Sequence, residues 1–373
     1  MTYGLLGYFA YLETVLGPLM PFLRAERHLS YTVAGLHFAA FSLGGVVVGL
    51  VGERAVRLCG RWTALWGGGA GMGIGAALLA ASSSAVGTLS GALIMGLCGS
   101  MLLITTQVVL ADRHREWTAV AITESNVAAS VCAILASVAV GALASTVLGW
   151  RTALVLPVAV FVLLAGLFRE EPLGRATSTE PSHQEAPRAL PGSFWAYCCV
   201  LFLGVAVEWC MAYWAADFLD NELGMDPSAA AGGLSLLFVG MLAGRIAGSR
   251  LARTHKAERL LFLTLCLALA GFPAFWLSSS PAMSLLGLLV VGLGIGNAYP
   301  LTISLGMASA WPRANTATAR LALAGASAIL IAPFALGALA DHVGIELAYG
   351  LVIPFLLSAA ALALIESRLR QSE

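Results

Sequence analysis

Residues 86–111, VGTLSGALIMGLCGSMLLITTQVVLA, run for 26 positions without one charged side chain. As a helix, at about 1.5 Å per residue, the run reaches ~39 Å and crosses the ~30 Å of a bilayer's hydrocarbon core. A membrane-barrel strand needs only about ten residues and alternates in polarity, which this run does not. The whole chain shares its character: of 373 residues 59% are hydrophobic and 11% charged, against about a quarter charged in soluble domains. Mean hydropathy is +0.87, which excludes a soluble globular protein. Twenty basic and twenty acidic residues cancel, so no overall field draws in nucleic acid.

Working outward from 86–111, charged and turn-rich breaks delimit twelve candidate spans: 2–23, 31–52, 62–81, 86–111, 117–147, 150–168, 194–219, 228–250, 258–277, 282–310, 315–340 and 345–366. The expected fold is an all-α membrane protein. Basic residues sort by side: with both termini cytoplasmic, 17 of the 20 lie on cytoplasmic connections and only Arg24, Arg27 and Arg151 opposite. That sorting points to the cell (inner) membrane, crossed many times. Met1–Tyr3 carry no Lys or Arg and lead into a stretch centred on Glu13, unlike a signal peptide, so the first helix is expected to stay in the mature chain.

Residues 169–193, REEPLGRATSTEPSHQEAPRALPGS, are too polar and proline-rich to bury a core, and read as a cytoplasmic linker. The expected organisation is a bundle over 1–168, the linker, and a second bundle over 194–373. A gap-free shift of 195 residues superposes Glu13 on Glu208, Gly45 on Gly240, Gly49 on Gly244, Arg61 on Lys256, Gly99 on Gly294 and Gly149 on Gly344. The acid pair and the loop cation pair carry the argument, because the 41 glycines match easily by chance. Two like-oriented six-span halves form the parallel-repeat plan of many secondary transporters.

With these residues in place the chain resembles the major facilitator superfamily. Gly49-Leu-Val-Gly-Glu53-Arg54 followed by Arg57 and Gly60-Arg61 is similar to that superfamily's loop motif, stretched by about two residues. Gly240-Met-Leu-Ala-Gly244-Arg245 and Leu148-Gly149-Trp150-Arg151 match further signatures. Gly204–Glu208, Gly292–Pro300, Ala332-Pro333 and Gly337–Asp341 look most like the fucose and sugar permease branch. The glycine-proline motif of drug/proton antiporters is missing from 130–142, SVCAILASVAVGA. The resemblance implies two pseudo-symmetric bundles moving about a midplane cavity, with spans one and seven at its wall.

Carboxylates at mid-bilayer are costly and by default face a cavity or a partner. Glu13 and Glu208 are therefore the candidates for proton coupling or solute binding. The family's sugar/proton symporters use an acid in span one, where Glu13 stands; the fucose permeases' second acid, in span four, has no counterpart in 86–111. Tyr8, His37, Gln107, Asn126, Trp209, Tyr213, Asn297 and Tyr299 supply hydrogen-bonding and stacking groups for a cavity. Trp209 and Tyr213 share one helix face, about 100° from Glu208. Glu124 and Arg245 are candidates for a cytoplasmic gate, and Gly49, Glu53, Arg54 and Arg61 for the loop motif. Gly17-Pro18, Pro21 and Pro300 are expected to kink their helices.

The glycine-rich run Gly67–Gly75 lies inside a span with no soluble strand before it, so it reads as helix packing, not a nucleotide loop. No P-loop is present, so transport runs on a gradient. Seven cysteines lack paired spacing and read as packing residues, without a metal or cofactor. No nucleophile and base pair suggests an enzyme. The expectation is a monomeric secondary transporter moving a small polar solute, sugar-like in its needs, inward with protons. The alternative is a proton-driven exporter of a drug-like or amphiphilic compound.

Overall fold

The computed structural model describes residues 1–113, 117–171, 173, 190–310 and 314–372. Most of the expected linker, at 172 and 174–189, lies outside the described residues. The described chain is helical: α1 (Thr2–Thr14), α2 (Leu16–Arg27), α3 (Tyr31–Trp62), a π-helical turn (Thr63–Gly67), α4 (Gly68–Ala81), α5 (Ala85–Arg113), α6 (Thr118–Ala144) and α7 (Thr152–Phe168). Then follow α8 (Gly192–Asn221), α9 (Pro227–Gly233), α10 (Ser235–Leu251), α11 (Ala257–Trp276), α12 (Pro281–Ile295), α13 (Ala298–Ser309), α14 (Ala314–Val343), α15 (Ile345–Tyr349) and α16 (Val352–Ser372).

Every expected span falls on helix. Among the described residues ten helical stretches are long and apolar enough to cross a membrane, and α7 is a shorter apolar helix. One of the ten, Tyr31–Ala81, covers two expected spans. They are divided at Gly60, whose φ of 81° and ψ of 155° lie in a region costly to residues bearing a Cβ.

Several spans are broken where the sequence denies a hydrogen bond. Proline has no N–H to give to the carbonyl four residues earlier. Pro18 thus leaves the Thr14 carbonyl without its donor, and the first span is interrupted between α1 and α2. Pro300 does the same to Gly296, where α12 gives way to α13.

The chain divides into two compact units, one comprising Met1–Thr177 and Tyr213–Ser235, the other Ser178–Ala212 and Leu236–Glu373. Helix α8 therefore counts with the second unit as far as Ala212 and with the first from Tyr213 on.

Inside each unit helices meet backbone to backbone at glycines. A methyl group on Gly44 would strike the backbone of Gly96 and Leu97, and one on Gly96 that of Phe41, where α3 crosses α5. Gly75 and Gly91 face each other in the same way where α4 crosses α5. In the second unit the crossing of α10 and α12 uses Gly240 and Gly292, and that of α11 and α12 uses Gly271 and Gly287. Each of these four stands 196 residues after its counterpart in the first unit, and Phe41, Leu79, Met95 and Leu97 correspond at that shift to the contacts Leu237, Phe275, Val291 and Leu293. The duplication is thus built into helix packing, one residue out of step with the gap-free shift of 195 that pairs the two glutamates. The shift of 195 holds at Gly149 and Gly344, both with positive φ (70° and 83°), which open the last span of each half.

Candidate functional site

In the second unit polar groups collect at the break made by Pro300. The Gly296 carbonyl, without its helical donor, accepts from Arg245 Nε at 3.2 Å. Asn297, at the break itself, donates through Nδ2 to the Gly244 carbonyl, so α10 and the broken helix are joined in both directions. Asn297 is buried, and Gly248 leaves room for it: a Cβ there would collide with the amide. Glu208 on α8 is half-buried and within electrostatic reach of both Arg245 and Tyr299. Tyr299 is 44% exposed. Trp209 is half-buried beside Glu208. Glu208, Arg245, Asn297 and Tyr299 thus form one cluster, on irregular backbone of the kind that binds solutes and ions in secondary transporters.

In the first unit Glu13 lies next to Thr14, whose carbonyl Pro18 deprives of a donor. It is half-buried and within electrostatic reach of the fully buried Tyr213. Tyr213 stacks on Phe38 with ring centroids 4.1 Å apart and planes 3° from parallel, and Trp214 meets the same ring edge-on at 5.3 Å. One turn further along α8, Asp217 is 0% exposed and receives Arg24 Nη1 at 2.7 Å and 2.6 Å on its two oxygens. The guanidinium of Arg24 lies 3.5 Å from the centroid of Tyr31. A buried charge pair with an aromatic face over the cation is held tightly, since removing either partner strands the other.

The remaining expected residues are spread through the first unit. The Tyr8 hydroxyl donates to the Gly69 carbonyl at 3.1 Å, and its ring stacks on Phe161 at 5.1 Å. His37 is wholly buried, with Nδ1 2.9 Å from the Val33 carbonyl and Nε2 2.8 Å from the Thr88 hydroxyl. Gln107 and Asn126 are exposed. Glu124, paired in the sequence reading with Arg245, accepts from the Tyr3 hydroxyl at 2.6 Å. At the loop motif Arg57 reaches Glu53 at 2.6 Å, and Arg61 reaches Asp112 at 2.6 Å. No group of three or more metal-ligating side chains occurs among the described residues.

Sequence reasoning missed Arg24, Tyr31, Asp217 and Asp112. Asp217 had a signal: it is a second carboxylate within span seven. Arg24 was assigned only to an outer connection.

A family model described as the Major Facilitator Superfamily matches residues 4–321. The chain belongs to the major facilitator superfamily. As a superfamily member it is a multi-pass membrane transporter and not an enzyme. It is 33% identical over 167 residues to an uncharacterized MFS-type transporter of Yersinia pestis, a match spanning 44% of this chain and 42% of the relative. Two crystal structures of a bacterial homolog of the human lysosomal transporter Spinster, one inward-facing and occupied, one inward-facing and unoccupied, match at 17% identity. Their TM-scores are 0.79 and 0.76, each over 98% of this chain and 96% of the other. At that identity the likeness concerns the major facilitator fold alone.

Proposed function

We propose that this transporter carries a small polar solute, sugar-like in its demand for hydrogen bonds, into the cell together with protons. The observation that carries the reading is the cluster of Glu208, Arg245, Asn297 and Tyr299 at the break in α12–α13. An acid near a fixed cation can exchange a proton for a solute hydroxyl: ionised, it leans on Arg245; protonated, it donates. Tyr299 supplies a stacking face and a hydroxyl. Glu13, beside its own proline-made break and the ring of Tyr213, is the second carrier in this reading, and each half then contributes one acid to alternating access. The protein acts as a monomer in the inner membrane, both termini in the cytoplasm, an orientation that follows from the sorting of basic residues.

The aromatic group around Glu13, Phe38 with Tyr213 and Trp214, favours a second reading, export of an amphiphilic compound against a proton gradient. Purified protein in liposomes distinguishes the two. Counterflow with a panel of sugars and of amphiphiles should show exchange for the sugars, and an inward-directed proton gradient should accelerate their uptake. Glu208→Gln should abolish acceleration by the gradient and retain exchange. Acceleration retained in that variant removes the proton role of Glu208, retention in Glu13→Gln with Glu208→Gln removes proton coupling from both acids, and exchange confined to amphiphiles overturns the solute class.

A further inference from the structure

In the second unit, level with the start of α11 and the end of α16, lies a cavity of about 580 Å³ whose lining includes Lys256, Glu258, Arg259, Phe262, Leu364 and Ser367. Its volume falls in the ~300–1,000 Å³ of small-ligand sites. Its position at helix ends puts it at headgroup depth, away from the cluster at the α12–α13 break.

The charges around it differ from those of the equivalent loop in the first unit. There Arg57 pairs with Glu53, Arg61 with Asp112 and Arg113 with Glu171, each at 2.6 Å, while Arg54 makes no ion pair among the described residues. The duplication puts Lys256 at the place of Arg61, but the place of Asp112 is taken by Met307 at a shift of 195 and by Ala308 at 196. Among the described residues Arg253, Lys256 and Arg259 make no ion pair. Two unpaired cations thus line a cavity together with a single carboxylate, Glu258.

The other wall is apolar. The same two helices expose further apolar side chains, Leu263 and Leu267 on α11 and Ile365 and Leu369 on α16. A cationic mouth over a greasy track matches a phosphate joined to acyl chains, whose headgroup hydroxyls Glu258 and Ser367 can receive or meet. Basic pockets between spans at the membrane surface hold anionic headgroups in this way.

We propose that this cavity binds the phosphate of an anionic glycerophospholipid, with Lys256 and Arg259 on the phosphate and the acyl chain along Phe262 and Leu364. The same phosphate chemistry occurs in soluble phosphate esters, and the test separates the two sources.

Delipidated protein in neutral detergent is titrated with short-chain phosphatidylglycerol, short-chain phosphatidylcholine and glycerol 1-phosphate, with binding read by microscale thermophoresis. Phosphatidylglycerol should bind about thirtyfold tighter than phosphatidylcholine, the preference two basic side chains supply at an anionic surface. Lys256→Gln with Arg259→Gln should reduce that preference to about threefold or less, whereas Arg57→Gln, at a paired loop cation, should leave it intact. Both cations are exposed, so the variants should melt like the parent. Lys256→Arg with Arg259→Lys, which keeps the charge, should retain the preference. Equal binding of the two lipids, or an undiminished preference in the double glutamine variant, overturns the proposal. Glycerol 1-phosphate binding as tightly as phosphatidylglycerol overturns the lipid assignment.

Discussion

Asp217→Asn keeps the shape of the side chain that ties the far end of α8 into the first unit, and removes its charge. Arg24, with a side chain only 15% exposed, then loses its ion-pair partner and keeps Asp220 as the carboxylate within electrostatic reach. Breaking a buried pair from one side costs about 3–5 kcal/mol. The lower end applies, since Arg24 keeps some solvent and its aromatic face on Tyr31. About 3 kcal/mol corresponds to roughly a hundredfold change in the equilibrium between a docked and an undocked segment. Amide hydrogen exchange in nanodiscs reads that equilibrium directly: residues 213–226 should exchange about a hundredfold faster in the variant, with α11 and α12 unchanged. Exchanging the charges, Arg24→Asp with Asp217→Arg, should recover a good part of the protection, which isolates the pair from general damage. Unaltered exchange over 213–226 in Asp217→Asn would refute the claim that this pair holds the segment, and so would acceleration spread evenly over both units.

Other substitutions test other links. Gly44→Ala and Gly287→Ala place a methyl against facing backbone and should each lower the melting temperature by several degrees, whereas Gly49→Ala, with nothing within 4 Å, should leave it unchanged or slightly raised. Pro300→Ala returns a donor to the Gly296 carbonyl and displaces Arg245 from it; melting temperature should rise while solute exchange falls, because an interior proline costs a helix about 3 kcal/mol. Arg57→Ala breaks an exposed pair and should change stability by under about 0.5 kcal/mol. Arg61→Ala removes a side chain only 10% exposed and should destabilise by more, both read from thermal unfolding in detergent.

The spans were legible because a bilayer demands long apolar runs and tolerates few breaks, so 86–111 and its like announce themselves. The proline breaks were legible for a similar reason: whatever surrounds Pro300, the carbonyl of Gly296 loses its donor. What takes that donor's place was not, since Arg245 arrives from a helix some fifty residues away. Arg24 and Asp217 are separated by 193 residues, and their pairing depends on which way two helices turn their faces, which composition does not encode. From sequence Arg24 reads as an outer loop charge, and Asp217 is not singled out. His37 and Tyr8 show the same limit: residue type suggested cavity groups, while direction puts both on backbone carbonyls, and His37 also on Thr88. The duplication was visible through its rarest letters. Its packing glycines lie at 196, and a gap-free comparison has no means of seeing the one-residue slip.

Those glycine crossings also govern how force travels. Where two helices touch through main chain alone, no rotamers stand between them to absorb a displacement, and a push on one is felt undiminished by its neighbour. The triplet α3, α4 and α5, and its echo α10, α11 and α12, behave as solid blocks. Deformation is left to the joints, at Gly60, Gly149 and Gly344 with their left-handed backbones and at the two proline-cut helices.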